Sequence, residues 1–144
     1  MARRTFKVML LAGMLLLAAS ASLAEVVVVA NARSGIDRLT RDEVVNIFLG
    51  RYRQLSSGLP AIPVDLPASD AGKASFYRLL VGKDLSDLNA YWARLVFSGR
   101  TAPPRQSNGE DDLLRFVAEN PGAVGYLERS RVDSRVRIVF DFGS

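Results

Sequence analysis

The sequence predicts an α/β domain with about four or five strands in a sheet flanked by helices. Three observations carry that prediction. Residues 25–31, EVVVVAN, form a β-branched run with no apolar/polar alternation, as a strand covered on both faces requires. Four later segments space their apolar residues at helical intervals and sit between capping residues and glycine or proline. Between and after them, residues 61–66, 123–127 and 135–142 return to extended patterns.

Each element follows from its own residues. The first strand is expected near the centre of the sheet. Residues 32–39 form a loop turning at Ser34-Gly35. It leads into a helix over 41–49, with Thr40 as N-cap, Glu43 completing a capping box and Leu39 stapling against Val44. Val44, Ile47 and Phe48 share a face, and Gly50 stops the helix. After a polar connection containing Arg51, Tyr52 and Arg53, the second strand covers 61–66. Its Pro63 cannot donate to a ladder, so the strand lies toward an edge or places Pro63 where no bond is needed. A polar turn over 67–70 opens a helix over 71–81 that buries Phe76, Leu79 and Leu80 and ends at Gly82.

The third helix follows Ser86 as cap. Leu88, Tyr91, Trp92, Leu95 and Val96 form its apolar stripe, and Gly99 closes it. Pro103-Pro104 makes residues 101–108 an extended surface crossing rather than a regular element. A fourth helix over 109–119 takes Asn108 as cap, carries Glu110, Asp111 and Asp112 in its first turn and faces Leu113, Phe116 and Val117 inward. Asn120-Pro121-Gly122 ends it. In the last strand Val136, Ile138, Phe140 and Phe142 take one face and Arg135, Arg137 and Asp141 the other.

Composition narrows the function. Residues 1–24 have a secretory plan: a basic head at Arg3, Arg4 and Lys7, an apolar run over 8–19 and a small-x-small end at Ser22-Leu23-Ala24. The expected layout is therefore a signal peptide over 1–24, cleaved on export to the periplasm, and one domain over 25–144. Export by general secretion fits the Leu-rich run better than a twin-arginine route. The leader holds three of the 19 Lys+Arg and none of the 15 Asp+Glu, so the net +4 falls to +1 without it. The remaining arginines interleave with acids, which argues against a nucleic-acid partner. Cysteine and histidine are absent. That excludes disulfides, cysteine nucleophiles, histidine-based dyads and the usual zinc sites, so no metal or cofactor is expected.

No catalytic pair emerges. Ser69 and Lys73 lack the S-x-x-K spacing, and the adjacent Asp111 and Asp112 point in different directions. A binding protein rather than an enzyme is expected. A helix N-terminus presents unpaired N–H groups and a partial positive charge. The first and fourth helices answer these with their own acids, and the third is left undecided by Ser86-Asp87. The helix after Asp70 instead carries Gly72, Lys73 and Ser75 in its opening turns. It is therefore the candidate anion seat, formed by Ser69, Gly72, Lys73 and Ser75, with Arg33 and Ser34 from the first loop as further contributors if the first two strands are neighbours. The plainer reading of the same residues is a cap by Ser69 or Asp70 with Lys73 solvated. Tyr91 and Trp92 read as core, and Tyr52 between two arginines as a solvated loop or a partner-contact patch.

Several strings together carry a resemblance: Ile47-Phe48-Leu49-Gly50-Arg51, Pro63-Val64-Asp65, Phe76-Tyr77, Tyr91-Trp92, Phe97-Ser98-Gly99 and, most specifically, Asn120-Pro121-Gly122-Ala123-Val124-Gly125-Tyr126. Over about residues 26–127 the chain resembles the small single-lobe members of the phosphate ABC-transporter substrate-binding family. The resemblance implies a three-layer lobe of the type 2 periplasmic binding-protein fold with a mixed sheet. It also implies a small oxyanion ligand such as phosphate and a membrane transporter as partner. Full-length members hold an arginine and a serine- and glycine-rich turn where this chain has residues 65–75. Here Ser69, Gly72 and Ser75 stand for parts of that turn, the arginine is missing and Asp65 or Asp70 is close by. A lone lobe supplies one wall of a two-walled cleft. Three expectations follow: a weak oxyanion binder, a homodimer that rebuilds the cleft, or a periplasmic adaptor or sensory module with a degenerate site. In the adaptor reading, residues 51–53 and the Pro103-Pro104 loop dock on a membrane transporter or sensor.

Overall fold

In the first strand, β1 (Val26–Asn31), every residue is buried, as an apolar run without alternation requires. The computed structural model describes residues 25–99 and 101–143; the expected export signal, 1–24, lies outside the described residues. Helix α1 (Arg41–Phe48) starts at a complete capping box between Thr40 and Glu43. It is followed by β2 (Ile62–Asp65), α2 (Ala71–Val81), α3 (Leu85–Phe97), the two-residue β3 (Arg105–Gln106), α4 (Glu110–Glu119), β4 (Ala123–Glu128) and β5 (Val136–Asp141). A 3₁₀ turn, Arg129–Arg131, links the last two strands.

The strands form one mixed sheet in the order β3-β2-β4-β1-β5. β2 runs parallel to β3 and to β4, while β1 runs antiparallel to both β4 and β5. The central strand is thus β4, with β1 beside it. Strand β3 was not expected, because Pro103-Pro104 reads as irregular. The pairing starts just past those prolines, at Val64↔Arg105. Pro63 precedes that register and pairs with Val124 of β4, so its missing N–H leaves the short β2–β3 ladder intact.

Successive side chains of a strand point to opposite faces, and β4 shows what covers each. A Cβ built on Gly125 would meet Leu113 and Val117 of α4 at 2.8 and 3.2 Å. The next ring, Tyr126, stacks on Phe76 of α2 with centroids 3.8 Å apart. Helices therefore lie on both sheet faces, and the architecture is three-layered. On the α2 face Phe48 of α1 packs edge-on against both Phe76 and Tyr126. Gly122 is required for a different contact: a Cβ there would lie 2.1 Å from the Pro60 carbonyl oxygen. The most specific string of the resemblance thus has its glycines where neighbouring elements leave no room for a side chain.

Several local expectations are corrected. In α2, Tyr77 is buried and Leu79 is half exposed. In α3 the buried residues are Leu88 and Trp92, while Val96 and Phe97 face outward. The cap of α3 is Asp84 rather than Ser86, and α4 starts from Gly109 rather than Asn108, whose N–H is accepted by the Asp112 carboxylate. Leu114 is buried in α4 and Phe116 is only partly covered. In β5 a bulge opposite Val28/Val29 breaks the alternation, so Val139 turns inward. Its carbonyl accepts the Leu39 N–H at 2.8 Å and ties the α1 entry to the sheet edge.

Candidate functional site

The candidate seat lies where β2 ends and α2 begins. Asp70 has extended backbone angles and its Oδ1 accepts the Gly72 N–H at 2.8 Å. The next amide, Lys73 N–H, donates to the Asp70 carbonyl at 3.1 Å. The helix start is thus capped by its own residue, as the plainer reading has it, but Lys73 is not a solvated lysine. Its side chain is 14% exposed, and its Nζ lies 3.6 Å from Oδ2 of Asp65, whose side chain is 5% exposed.

Asp65 is the hub of this corner. Its Oδ1 accepts the Tyr77 hydroxyl at 2.7 Å and the Tyr126 hydroxyl at 3.0 Å. Tyr126 in turn accepts the Leu66 N–H at 3.2 Å. The Asp65 carbonyl accepts both the N–H and the hydroxyl of Ser107, at 2.8 and 2.7 Å. Four elements are joined through one residue: β2, α2, β4 and the segment after β3. Burial raises the Asp65 pKa, opposed by the Lys73 charge and the two tyrosine hydroxyls. Burial, together with the Asp65 charge, also pushes both tyrosines up, Tyr77 well above its ordinary value, so both hydroxyls stay protonated donors. Sequence reasoning passed over this set. The available signal was an acid inside an apolar strand, followed by a helix with Lys73 and Tyr77 four apart on one face.

Ser69 and Ser75 are both exposed. Ser75, Gly72 and Asp70 line a cavity of about 160 Å³ together with Glu110 and Glu128. Three carboxylates therefore face the space that an anion would enter. Burial raises the Glu110 pKa; the Glu128 and Asp70 charges add to this, while a hydrogen bond from the Glu128 backbone and the Arg131 charge oppose it. The sequence comparison that singled out α2 as the helix start without acids holds for its first turn. It does not hold for the N-cap or for the neighbouring elements.

Ser34 must be corrected. It is buried, and its hydroxyl accepts the Ile36 N–H at 3.1 Å. Because β1 is antiparallel to β4 and β4 is parallel to β2, Ser34 follows the end of β1 that lies beside the start of β4. Asp70 and Gly72 follow the opposite end of the sheet. The strand between the Ala30↔Val124 and Val26↔Glu128 pairs alone spans about 13 Å. Ser34 and Gly72 cannot share a ligand of phosphate size. The polar residue that matters at that end is Asn31, whose amide donates to the Val117 and Ala118 carbonyls at 2.8 and 2.9 Å and closes the end of α4.

The patch expected for a partner is assembled. Tyr52 and Arg53 meet the Thr101–Arg105 segment across a groove of about 370 Å³, floored by Ile62 and Pro63. No helix among the described residues is long and apolar enough to cross a membrane.

No protein-family model matches the chain, and no curated protein matches it in sequence. Solved structures do match. An ABC-type phosphate transport receptor from Vibrio cholerae superposes with a TM-score of 0.65 at 19% identity, over 83% of this chain and 47% of that one. A putative phosphate ABC-transporter substrate-binding protein from Clostridium perfringens, solved with bound phosphate, gives 0.64 at 17% identity, over 80% and 44%. A possible phosphate-binding protein from Planctomyces limnophilus gives 0.59 at 17%, over 80% and 40%. The chain spans less than half the length of each of these proteins. Its mixed five-stranded sheet with flanking helices matches part of the fold of these solved structures.

Proposed function

We propose that this chain is an exported docking module built on part of a solute-binding fold, serving a membrane transporter or sensor in the periplasm, with its own oxyanion seat closed. The observation that carries the reading is the 2.8 Å bond from the Gly72 N–H to the Asp70 carboxylate. An incoming oxyanion would have to displace that carboxylate and approach Glu110 and Glu128, while the nearest ammonium, Lys73, is already paired with Asp65. Strong capture of an oxyanion needs several charge-assisted donors converging on it. This corner instead presents three carboxylates, and its nearby guanidinium, Arg131, is already paired with Glu110 at 3.6 Å. Docking is supported by the assembled groove at the other end of the sheet.

A second reading is favoured by one comparison, the fold shared with a protein solved with phosphate bound. In it Asp70 swings away, and Ser69, Gly72, Lys73 and Ser75 hold a small oxyanion such as phosphate. The opposing wall then comes from a second copy or another protein. Calorimetric titration of the exported protein with inorganic phosphate separates the two, run on wild type, Asp70→Asn and Lys73→Ala. In-cell crosslinking under phosphate-rich and phosphate-poor growth accompanies it. The docking reading expects no phosphate heat from wild type and one membrane partner recovered in both media. Heat from wild type that Lys73→Ala abolishes would establish the oxyanion reading instead.

A further inference from the structure

We propose that the groove between Tyr52-Arg53 and Thr101–Arg105 receives an extended, acidic segment of the partner protein. The inference rests on the docking reading above and gives the partner's contact segment a chemistry.

Charge is the first argument. Arg53 and Arg105 line the groove, and none of its described lining residues is Asp or Glu. The carboxylates gather at the other end of β2 and β4, where Asp70, Glu110 and Glu128 share one cavity. The described charges lining the groove are both cationic, so a segment with carboxylates is steered to it. Arg105 is also pre-oriented: its guanidinium lies 4.3 Å above the Phe116 ring, which holds the planar fork for a carboxylate.

Shape is the second. The floor and one wall are apolar, from Ile47, Ala61, Ile62, Pro63 and Pro104, and Tyr52 stands half exposed at the rim. The walls are fixed before any guest arrives. The Arg51 and Tyr52 N–H groups both donate to the Asn46 carbonyl at 2.8 and 3.0 Å, and the Ala61 N–H donates to the Arg53 carbonyl at 2.9 Å. Gly50, at φ +74°, lies so close to Thr101 that a Cβ would meet its hydroxyl at 2.7 Å. A preformed groove spares the guest the ordering cost on this side of the interface.

The test is fluorescence anisotropy with a labelled Glu-Pro repeat peptide, which is extended and acidic, titrated with the exported protein. Gln-Pro and Lys-Pro repeats and a single-stranded oligothymidine serve as comparison probes. Only the Glu-Pro peptide is expected to bind, with affinity falling as salt rises. Arg53→Glu with Arg105→Glu should weaken it at least about tenfold, and Tyr52→Ala, at an exposed position, should weaken it without altering the thermal midpoint. Asp70→Asn, at the other end of the sheet, should leave it unchanged. Equal binding of Glu-Pro and Gln-Pro repeats, stronger binding of the oligothymidine, or no effect of Tyr52→Ala and the double charge reversal in folded protein would overturn the proposal. If the double reversal still captures the membrane partner in cells, the docking reading survives and this groove is not its site.

Discussion

Removing one hydroxyl from the Asp65 hub, by Tyr77→Phe or Tyr126→Phe, tests how the corner is held. Both substitutions keep the ring, so the Phe76–Tyr126 stack at 3.8 Å and the edge contact of Tyr77 at 5.1 Å persist. Only hydrogen bonds change. Tyr77 contributes one bond, to a buried carboxylate at 2.7 Å. A hydrogen bond to a charged group is worth roughly 1.5–3 kcal/mol, and that is the expected cost of Tyr77→Phe. Tyr126 contributes a longer bond to the same oxygen, at 3.0 Å, but also accepts the buried Leu66 N–H. Its loss leaves that amide without its acceptor, adding roughly 1–3 kcal/mol. Tyr126→Phe is therefore expected to be the more costly, although its bond to Asp65 is the weaker one. Urea unfolding at neutral pH measures both, with unchanged m-values confirming that the native state is intact. A cost below about 0.5 kcal/mol for either, or a larger cost for Tyr77→Phe than for Tyr126→Phe, refutes the hub.

Asp65 also gives a pH prediction with an unusual sign. Because burial raises its folded pKa above the ordinary 3.8, the folded state binds a proton more readily than the unfolded chain, so its contribution falls as pH rises from 3.8 through the raised value. Urea midpoints of wild type relative to Asp65→Asn should therefore be most favourable in acid and decline toward neutral pH; the opposite slope would show that Lys73 and the tyrosines outweigh burial. Gly122→Ala places a methyl 2.1 Å from the Pro60 carbonyl oxygen, a backbone atom. It should cost about 3 kcal/mol, the upper range for overpacking, and a thermal midpoint equal to wild type would contradict that contact.

What was legible in the sequence depended on local rules. The capping box at Thr40-Glu43 and the limits of α2 at Asp70 and Gly82 follow from side chains adjacent in the chain, and both are found as read. The unalternating valines of β1 correctly signal burial on both faces. What could not be read was set by distant partners. Tyr77 is buried and Leu79 is not because Asp65 and Tyr126 lie beside one and nothing comparable lies beside the other. Strand β3 exists because Val64 and Asp65 are there to pair with, not because residues 105–106 favour extension. Ser34 was grouped with Gly72 on the premise that the first two strands are neighbours, whereas β4 lies between them and β1 runs the opposite way. The surroundings of the seat were hidden on the same ground: an acid-poor first turn is a local property, whereas Glu110 and Glu128 arrive from α4 and β4.

The position of β1 between β4 and β5 has a consequence for how the protein is made. Val27 faces Leu127 on one side and Asp141 on the other, so β1 finds its neighbours only once β4 and β5, much later in the chain, have been made. Until then a stretch of four consecutive valines has no ladder to join, and such a segment is prone to cross-pair with other copies.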